Sequence, residues 1–237
     1  MQCRSWPCLR RMMSEREGDA PHDTSSIGSC SGLGLEQAWF SELLLSESTL
    51  SMTRTSSGRP LPGEFATYAQ SDIDAVVGTD AVTILDELAV DTLQLLESLR
   101  EDHVSGLRYA PNKWTLKEVL GHIIDDERIF AYRALCLARG ETLSLAGFDE
   151  NVYAANSGAE NRTWADLLDE YRIVRAATVA LLRSLTAAAW GRAGVVNGYP
   201  ATPRGLAFHI AGHELHHLRI VRERYLSLLV PPDAPTA

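Results

Sequence analysis

Apolar residues recur with the period of an α-helix in four long segments between residues 78 and 230. The first segment is TDAVTILDELAVDTLQLLESLRED and the second is WTLKEVLGHIIDDERIFAYRALCLARG. The third is TWADLLDEYRIVRAATVALLRSL and the fourth is TPRGLAFHIAGHELHHLRIVRERYLSLL. Each pattern predicts an amphipathic helix with one broad apolar face. The only candidate strand material is GVVNGYP, at 194–200, which fits either a small hairpin or a loop.

Three of the predicted helices open with residues that favour a helix start. Thr115 is followed three residues later by Glu118, which is the pattern of a capping box. Thr163 and Thr202 are expected to cap the third and fourth helices. Pro203 takes the first helical position, where its missing N–H costs least. These signals place the helix starts independently of the apolar pattern.

Four amphipathic helices of similar length predict an all-α fold, a four-helix bundle, which we assign to residues 71–232. The predicted connection between the second and third helices, 141–162, is long for a compact domain. Loops of that length often carry function. We therefore expect this connection to contribute to a functional site.

Residues 1–70 differ in composition and are predicted to form a poorly ordered, disordered leader. From Gly18 to Gly34, eight of the seventeen residues are Gly or Ser. Such a segment cannot bury enough apolar surface to offset the entropy of the chain. Met52 is an alternative start, with the residues before it a misassigned leader. The intact mass of the native protein tests that hypothesis.

Charge and cysteine usage narrow the classes of partner. The formal net charge of −9 argues against a basic face for nucleic acid. No uncharged apolar run approaches the ~20 residues of a membrane span. We therefore expect a small-molecule substrate, with no nucleic-acid or membrane partner. Three of the four cysteines lie in the leader and Cys136 lies alone in a predicted helix. Cysteines at these positions do not form the pattern of a disulfide framework, and their arrangement predicts a cytoplasmic protein.

Four of the seven histidines fall within nine residues of the fourth segment, in HIAGHELHHLRIV at 209–221. His213 and His217 are four residues apart, so a helix places both imidazoles on one face. The letters also match the HExxH motif of zinc proteases. No protease-like sheet precedes the helix, so the match is weak evidence for a protease. The spacing nevertheless suits two ligands of one metal ion.

An open metal site needs a third protein ligand. The candidates are His103, His122, His209 and His216. His209 lies two turns from His217, and three ligands on one helix would be spread over ~12 Å, too far to close around one ion. His122 lies beside the apolar stripe of the second helix and is the candidate we favour.

Each histidine feature also has a simpler interpretation. His122 taken alone is better explained as a core histidine with one satisfied hydrogen bond. The cluster in the fourth segment is also compatible with a solvated helix face. Together, the two features favour a three-histidine site between facing helices, where bundles build their metal centres.

The sequence resembles the DinB/YfiT-like superfamily over residues 78–230. The resemblance rests on KWTLKEVLGHIIDDERIFAYR, on the HxxxH pair of AFHIAGHELHHLRIV, and on GFDENVYAANS after the second helix. It implies an up-up-down-down four-helix bundle and a possible homodimer. It also implies one divalent metal ion, zinc, nickel or iron, on His122, His213 and His217. The implied activities are metal-dependent hydrolysis and S-transfer with a low-molecular-weight thiol as cosubstrate.

Two aspartates are the candidate catalytic residues. Asp125 lies three residues after His122 and matches the position at which the family carries an acid, so we expect it to orient a metal ligand. Asp126 is expected on the helix surface. Asp149, with Asn151, lies in the long connection and is expected either to approach the metal or to form an ordinary turn.

Three further residues are given structural roles. Glu214 points about 100° away from its neighbour His213 on the helical wheel, so we predict a salt bridge with an arginine and not a general base. Cys136 is expected in the core, and Trp114 is expected to be a packing anchor beside the helix cap. Two alternatives to an enzyme stay open: a bundle that binds a metal or small ligand without turnover, and a structural dimer.

Overall fold

The computed structural model describes residues 55–229, and eight α-helices account for most of that part of the chain. They are α1 (Gln70–Ala75), α2 (Ala81–Glu97), α3 (Glu101–Val104), α4 (Leu116–Ala138), α5 (Glu150–Asn156), α6 (Trp164–Arg183), α7 (Ala187–Trp190) and α8 (Pro203–Ile220). A single π-helical turn, Val221–Tyr225, extends α8. The all-α class predicted from the apolar period is confirmed.

Strands β1 (Gly194–Val196) and β2 (Tyr199–Ala201) form an antiparallel hairpin that covers the segment GVVNGYP and ends one residue beyond it. Asn197 has a φ of 51°, in the left-handed region, and Gly198 has a φ of 79°. An Asn-Gly pair adopts that conformation readily, so it closes the two-residue turn. Leu145 adds a bridge to Val196, which ties the connection after α4 to the hairpin.

The helix starts lie where the cap signals place them. The Thr115 side chain accepts a hydrogen bond from the Glu118 N–H at 3.2 Å, and the Glu118 carboxylate accepts from the Thr115 N–H at 2.7 Å. This reciprocal pair completes the predicted capping box. Thr163 and Thr202 cap α6 and α8 in the same way through one hydrogen bond each.

The four long helices α2, α4, α6 and α8 form the bundle. Helices α2 and α4 lie on opposite corners, and each packs against both α6 and α8. Leu85, Leu120, Tyr171 and Phe208, one from each helix, are fully buried at the contacts. The four-helix bundle predicted from the sequence is therefore confirmed, and α4 and α8, which carry the candidate histidines, are neighbours.

Contacts at one end of the bundle show the directions of the helices. The Trp164 indole N–H donates to the Leu96 carbonyl at 3.0 Å, which places the start of α6 at the end of α2. The Lys117 ammonium donates to the Arg162 carbonyl at 2.7 Å, which places the start of α4 beside the start of α6. Helix α2 therefore runs one way, and α4 and α6 both run the other.

The last helix returns to the same end, because the Tyr225 hydroxyl donates to the Trp114 carbonyl at 2.7 Å. The order is therefore up-down-down-up, and the up-up-down-down order expected from the family resemblance is wrong in this respect. Its physical reason is the long connection between α4 and α6, which we call the crossover connection (139–163). Two parallel helices need a crossover, whereas antiparallel neighbours need only a short turn.

Residues 55–70, which we placed in the leader, pack against the bundle. Phe65 is buried, and Glu64 forms an ion pair with Arg204 at 2.6 Å. Gly205 of α8 allows this close approach, since an added Cβ would lie 2.0 Å from the Glu64 carbonyl oxygen. The leader before residue 55, including the alternative start at Met52, lies outside the described residues, as do residues 230–232.

None of the helices within residues 55–229 combines the length and the apolarity that crossing a bilayer requires.

Candidate metal centre

Helices α4 and α8 bring three imidazoles together at their interface. His213 Nε2 lies 3.0 Å from His122 Nε2 and 3.1 Å from His217 Nε2. One ligand atom from each residue lies within 4.8 Å of the other two. We call these residues the histidine trio. The structure thus brings together the three histidines that spacing and resemblance selected.

Burial keeps the histidine trio neutral. It lowers the pKa of His122 to about 4 and that of His217 to about 3, and it lowers the pKa of His213 well below the ordinary value. In each case removal of the ring from water is the main cause, since a buried charge is costly. At neutral pH the rings are therefore uncharged, and each has a nitrogen lone pair available.

The trio fits a divalent metal ion. Three nitrogens bound about 2.0–2.1 Å from one tetrahedral zinc ion lie roughly 3.3–3.4 Å apart. The 3.0 and 3.1 Å separations found here are close to that value. Neutral imidazole suits zinc, nickel and iron alike. The donor set therefore fits the expected group of metals and does not select one of them.

Asp126 is buried against the trio and not on the surface, so that expectation is wrong. Its Oδ2 lies 3.3 Å from His213 Nδ1 and 3.8 Å from His209 Nε2. Among residues 55–229, this oxygen has no hydrogen-bond partner of good geometry. Burial raises the pKa of Asp126 well above its usual range. A carboxyl oxygen beside Nδ1 favours the tautomer in which Nε2 of His213 is the ligand atom.

The two candidate catalytic aspartates lie elsewhere. Asp125 faces away from the cavity and lies 3.8 Å from Arg128, and burial raises its pKa. Asp149 is the N-cap of α5 and accepts hydrogen bonds from Asn151 N at 2.9 Å and Val152 N at 3.1 Å. These two hydrogen bonds are those of an ordinary turn, which is the second of the two roles expected for Asp149. The structure places Asp126, one residue on, where Asp125 was expected.

The histidine trio lies on the wall of a cavity of about 510 Å³. Helices α4 and α8, the crossover connection and the hairpin turn all contribute to it. Its other walls include Trp114, Phe130, Arg133, Phe148, Glu150 and Asn197. The volume is typical of a site for one small molecule. Cys136 is half-buried on α4, not fully in the core, and does not line the cavity.

Sequence reasoning missed several of these wall residues. Arg133 lies eleven residues after His122, about three helical turns, so its place on the same helix face was a usable signal. Glu150 is the first residue of the short helix α5 and Asn197 lies in the hairpin turn, and the positions of both depend on the tertiary fold. No local pattern marks them.

Aromatic side chains pack against the histidines of the cavity. The Trp114 ring centroid lies 4.7 Å from that of His122 and 6.4 Å from that of His217. Trp114 is thus a wall of the candidate metal centre as well as a residue beside the helix cap. His209 stacks on Phe130 at 3.9 Å, which gives it a packing role in the cavity wall.

Glu214 lies in the middle of the bundle and forms the predicted ion pair, here with Arg175. Arg175 also forms a bidentate pair with Glu127, and all three side chains are at most 4% exposed. Glu214 further accepts hydrogen bonds from Thr92 at 2.5 Å and Tyr171 at 2.6 Å. We call Glu127, Arg175 and Glu214 the charged triad. It links α4, α6 and α8 beside the histidine trio.

Comparisons with known proteins agree with this geometry. The sequence model of the DinB superfamily matches residues 84–221. One solved structure of similar fold is YfiT from Bacillus subtilis, described as a probable metal-dependent hydrolase with an unusual four-helix bundle topology. The two chains share 17% identity with a TM-score of 0.57, over 73% of this chain and 94% of YfiT. A comparison with curated protein sequences finds no match.

Proposed function

The chain belongs to the DinB superfamily, and from that membership we propose that it is a metal-dependent enzyme that hydrolyses a small-molecule substrate. The observation that carries the proposal is the convergence of three neutral imidazole nitrogens on the wall of a cavity of about 510 Å³. His122, His213 and His217 would hold the ion. The description of YfiT as a probable metal-dependent hydrolase supports the proposed reaction class.

A divalent ion held by three imidazoles supplies Lewis acidity and activates water near neutral pH. The protein supplies the rest. Asp126 beside Nδ1 orients His213 so that Nε2 faces the other two ligands. Trp114, Phe130 and Phe148 line the cavity and limit its water. In this scheme Asp126 is a positioning residue, and Asp125 and Asp149 have no direct part.

Transfer of a low-molecular-weight thiol is the second candidate activity. A three-histidine site can also hold a thiolate, the nucleophilic form of a thiol. That reaction brings a second reactant beside the thiol, in the cavity on whose wall the histidine trio lies. The two candidates are separated by turnover: release of an acid from an ester or amide supports hydrolysis, and formation of a thioether supports transfer.

The first test is elemental analysis of the wild type beside His122→Ala. We expect about one equivalent of zinc, nickel or iron in the wild type and a large loss in the variant. His103→Ala is the matched control, because His103 lies on α3 outside the cavity. A wild type that takes up no metal even after reconstitution, or equal metal in His122→Ala, would contradict the proposal.

A metal-loaded protein without turnover would favour the alternative of a metal- or ligand-binding bundle. The screen therefore follows the metal analysis and uses esters, amides and thiol conjugates of small acids and amines. Activity that disappears in His122→Ala and persists in His103→Ala assigns turnover to the histidine trio. Activity that survives in both variants assigns it to a contaminant or to another site.

Two further expectations belong with this proposal. We propose that the protein acts in the cytoplasm, since the spacing of its four cysteines does not predict a disulfide framework. We also propose a homodimer, on the strength of the family resemblance alone. Light scattering of the purified protein measures the oligomeric state directly.

A further inference from the structure

Arg133 is a buried cation on the wall of the cavity that holds the histidine trio. The residue is 4% exposed, and the acid that acts most on its charge, Asp126 on the same helix, does so without a direct ion pair. Its only hydrogen bond within residues 55–229 runs from Nη2 to the Ala146 carbonyl, at 2.7 Å. An arginine carries five N–H donors, so four of them have no partner in that part of the chain.

No carboxylate of the described residues forms an ion pair with Arg133 within 4.0 Å. Instead, the guanidinium carbon lies over the ring of Phe130 at 4.7 Å and that of Phe148 at 5.5 Å. The guanidinium therefore borders two aromatic rings, and Arg133 is among the residues that line the cavity. Burying such a cation without an anion is unfavourable.

We propose that Arg133 binds a carboxylate of the substrate, so that the substrate is a small organic acid with one negative charge. A planar guanidinium matches a carboxylate through two parallel hydrogen bonds. The flanking Phe130 and Phe148 suit an apolar or aromatic body next to that carboxylate. This inference rests on the proposed function in one respect, namely that the cavity is the substrate site.

The other charges of the cavity select a monoanion over a dianion such as a phosphate. Two other acidic residues, Asp72 and Glu150, also lie on its wall. Asp72 is 3.4 Å from His216. These two acids oppose the accumulation of negative charge near Arg133. A single carboxylate matches the single cation, whereas a phosphate would bring a second negative charge.

The test compares two probes of the same shape, phenylacetate and phenylacetamide, which differ in charge. Both are titrated into metal-free protein, so that the carboxylate cannot bind to a metal ion. We expect phenylacetate to bind at least about tenfold more tightly than phenylacetamide. In Arg133→Gln the preference is expected to fall below about twofold. Arg133→Lys keeps the charge but loses the planar fork, so its preference is expected to be intermediate.

Arg128→Gln is the matched control, because Arg128 lies on the same helix, is half-exposed and pairs with Glu170 outside the cavity. Its preference for phenylacetate is expected to equal that of the wild type. Thermal unfolding and zinc uptake of each variant show whether it has folded. Arg133→Lys preserves the test if Arg133→Gln does not fold.

Three results overturn the inference: phenylacetate fails to bind, the two probes bind equally to the wild type, or the preference persists in Arg133→Gln. Tighter binding of phenyl phosphate than of phenylacetate overturns the choice of a carboxylate. The outcome is separable from that of the metal proposal. Zinc uptake without anion preference refutes only the role of Arg133, and anion preference without metal uptake refutes only the metal centre.

Discussion

Arg175→Met tests whether the charged triad stabilises the bundle. The change removes the cation between Glu127 and Glu214, whose side chains are 2% and 1% exposed. It also removes the donor to the Leu85 carbonyl, at 2.9 Å. Removing one partner of a buried ion pair costs about 3–5 kcal/mol, because the remaining charge is left without compensation. We expect a loss of that size in the free energy of unfolding.

Arg183→Met is the matched control for this prediction. Arg183 lies on the same helix about two turns further on and pairs with Asp86, but its side chain is 53% exposed. A solvated pair of that kind contributes less than about 1 kcal/mol. The two variants make the same chemical change, but the ion pair that is removed is buried in one and exposed in the other. Urea unfolding of the metal-free proteins measures the free energy of unfolding of both variants.

A triple variant, Arg175→Met with Glu127→Gln and Glu214→Gln, distinguishes two costs. One is the loss of the ion pairs, and the other is the burial of two carboxylates without a cation. The amides retain acceptors for the buried hydroxyls and carry no charge. We expect the triple variant to be more stable than Arg175→Met alone. A loss in Arg175→Met no larger than in Arg183→Met would refute the reasoning, because the triad would then contribute no more than a surface pair.

Three further predictions follow from the site and its surroundings. Asp126→Asn is expected to weaken zinc binding by about 10- to 100-fold, because the carboxylate that orients His213 is lost. The zinc affinity of Asp125→Asn is expected to equal that of the wild type. A competition titration with a chelator measures both. Gly205→Ala places a Cβ 2.0 Å from the Glu64 carbonyl oxygen, so the free energy of unfolding in urea is expected to fall by about 1–3 kcal/mol. Gly191→Ala is the control, because its added Cβ has its nearest neighbour at 3.8 Å, and its loss is expected to be less than about 0.5 kcal/mol. Metal-free protein is expected to lose stability as the pH falls from 6.5 toward about 4, because burial lowers the pKa values of the histidine trio and the unfolded chain therefore binds more protons. The slope approaches about 1.4 kcal/mol per histidine per pH unit, and equal stability at about pH 7.5 and about pH 5.5 would contradict it.

The helices were predictable because their signals are local. The apolar period and the caps at Thr115, Thr163 and Thr202 need no knowledge of the tertiary fold. The pairing of His213 with His217 is equally local, since it follows from four-residue spacing. Only the addition of His122 required the assumption that α4 faces α8, and the bundle places it there.

The features that were missed depend on rotation and direction of whole helices. Asp125 and Asp126 differ by one residue, about 100° on a helix, so a small error in the facing direction of α4 exchanges their roles. The directions of the helices depend on connections. The length of the segment 141–162 was visible in the sequence and indicated a crossover, but the expected up-up-down-down order did not use it. Arg133 became important only through Ala146 and Phe148 of the crossover connection.

The crossover connection makes the cavity a composite of two parts, one from the bundle helices and one from a loop segment. The histidine trio is fixed by helices that also form the core, whereas Phe148 and Glu150 come from a segment anchored to the hairpin through hydrogen bonds of Leu145 to Val195 and Asn197. A change in this segment between residues 146 and 150 alters the cavity wall and the contacts that Ala146 and Phe148 make with Arg133, but it replaces no residue of the histidine trio. Replacement of this segment is therefore a way to change the shape of the cavity without changing a residue of the histidine trio.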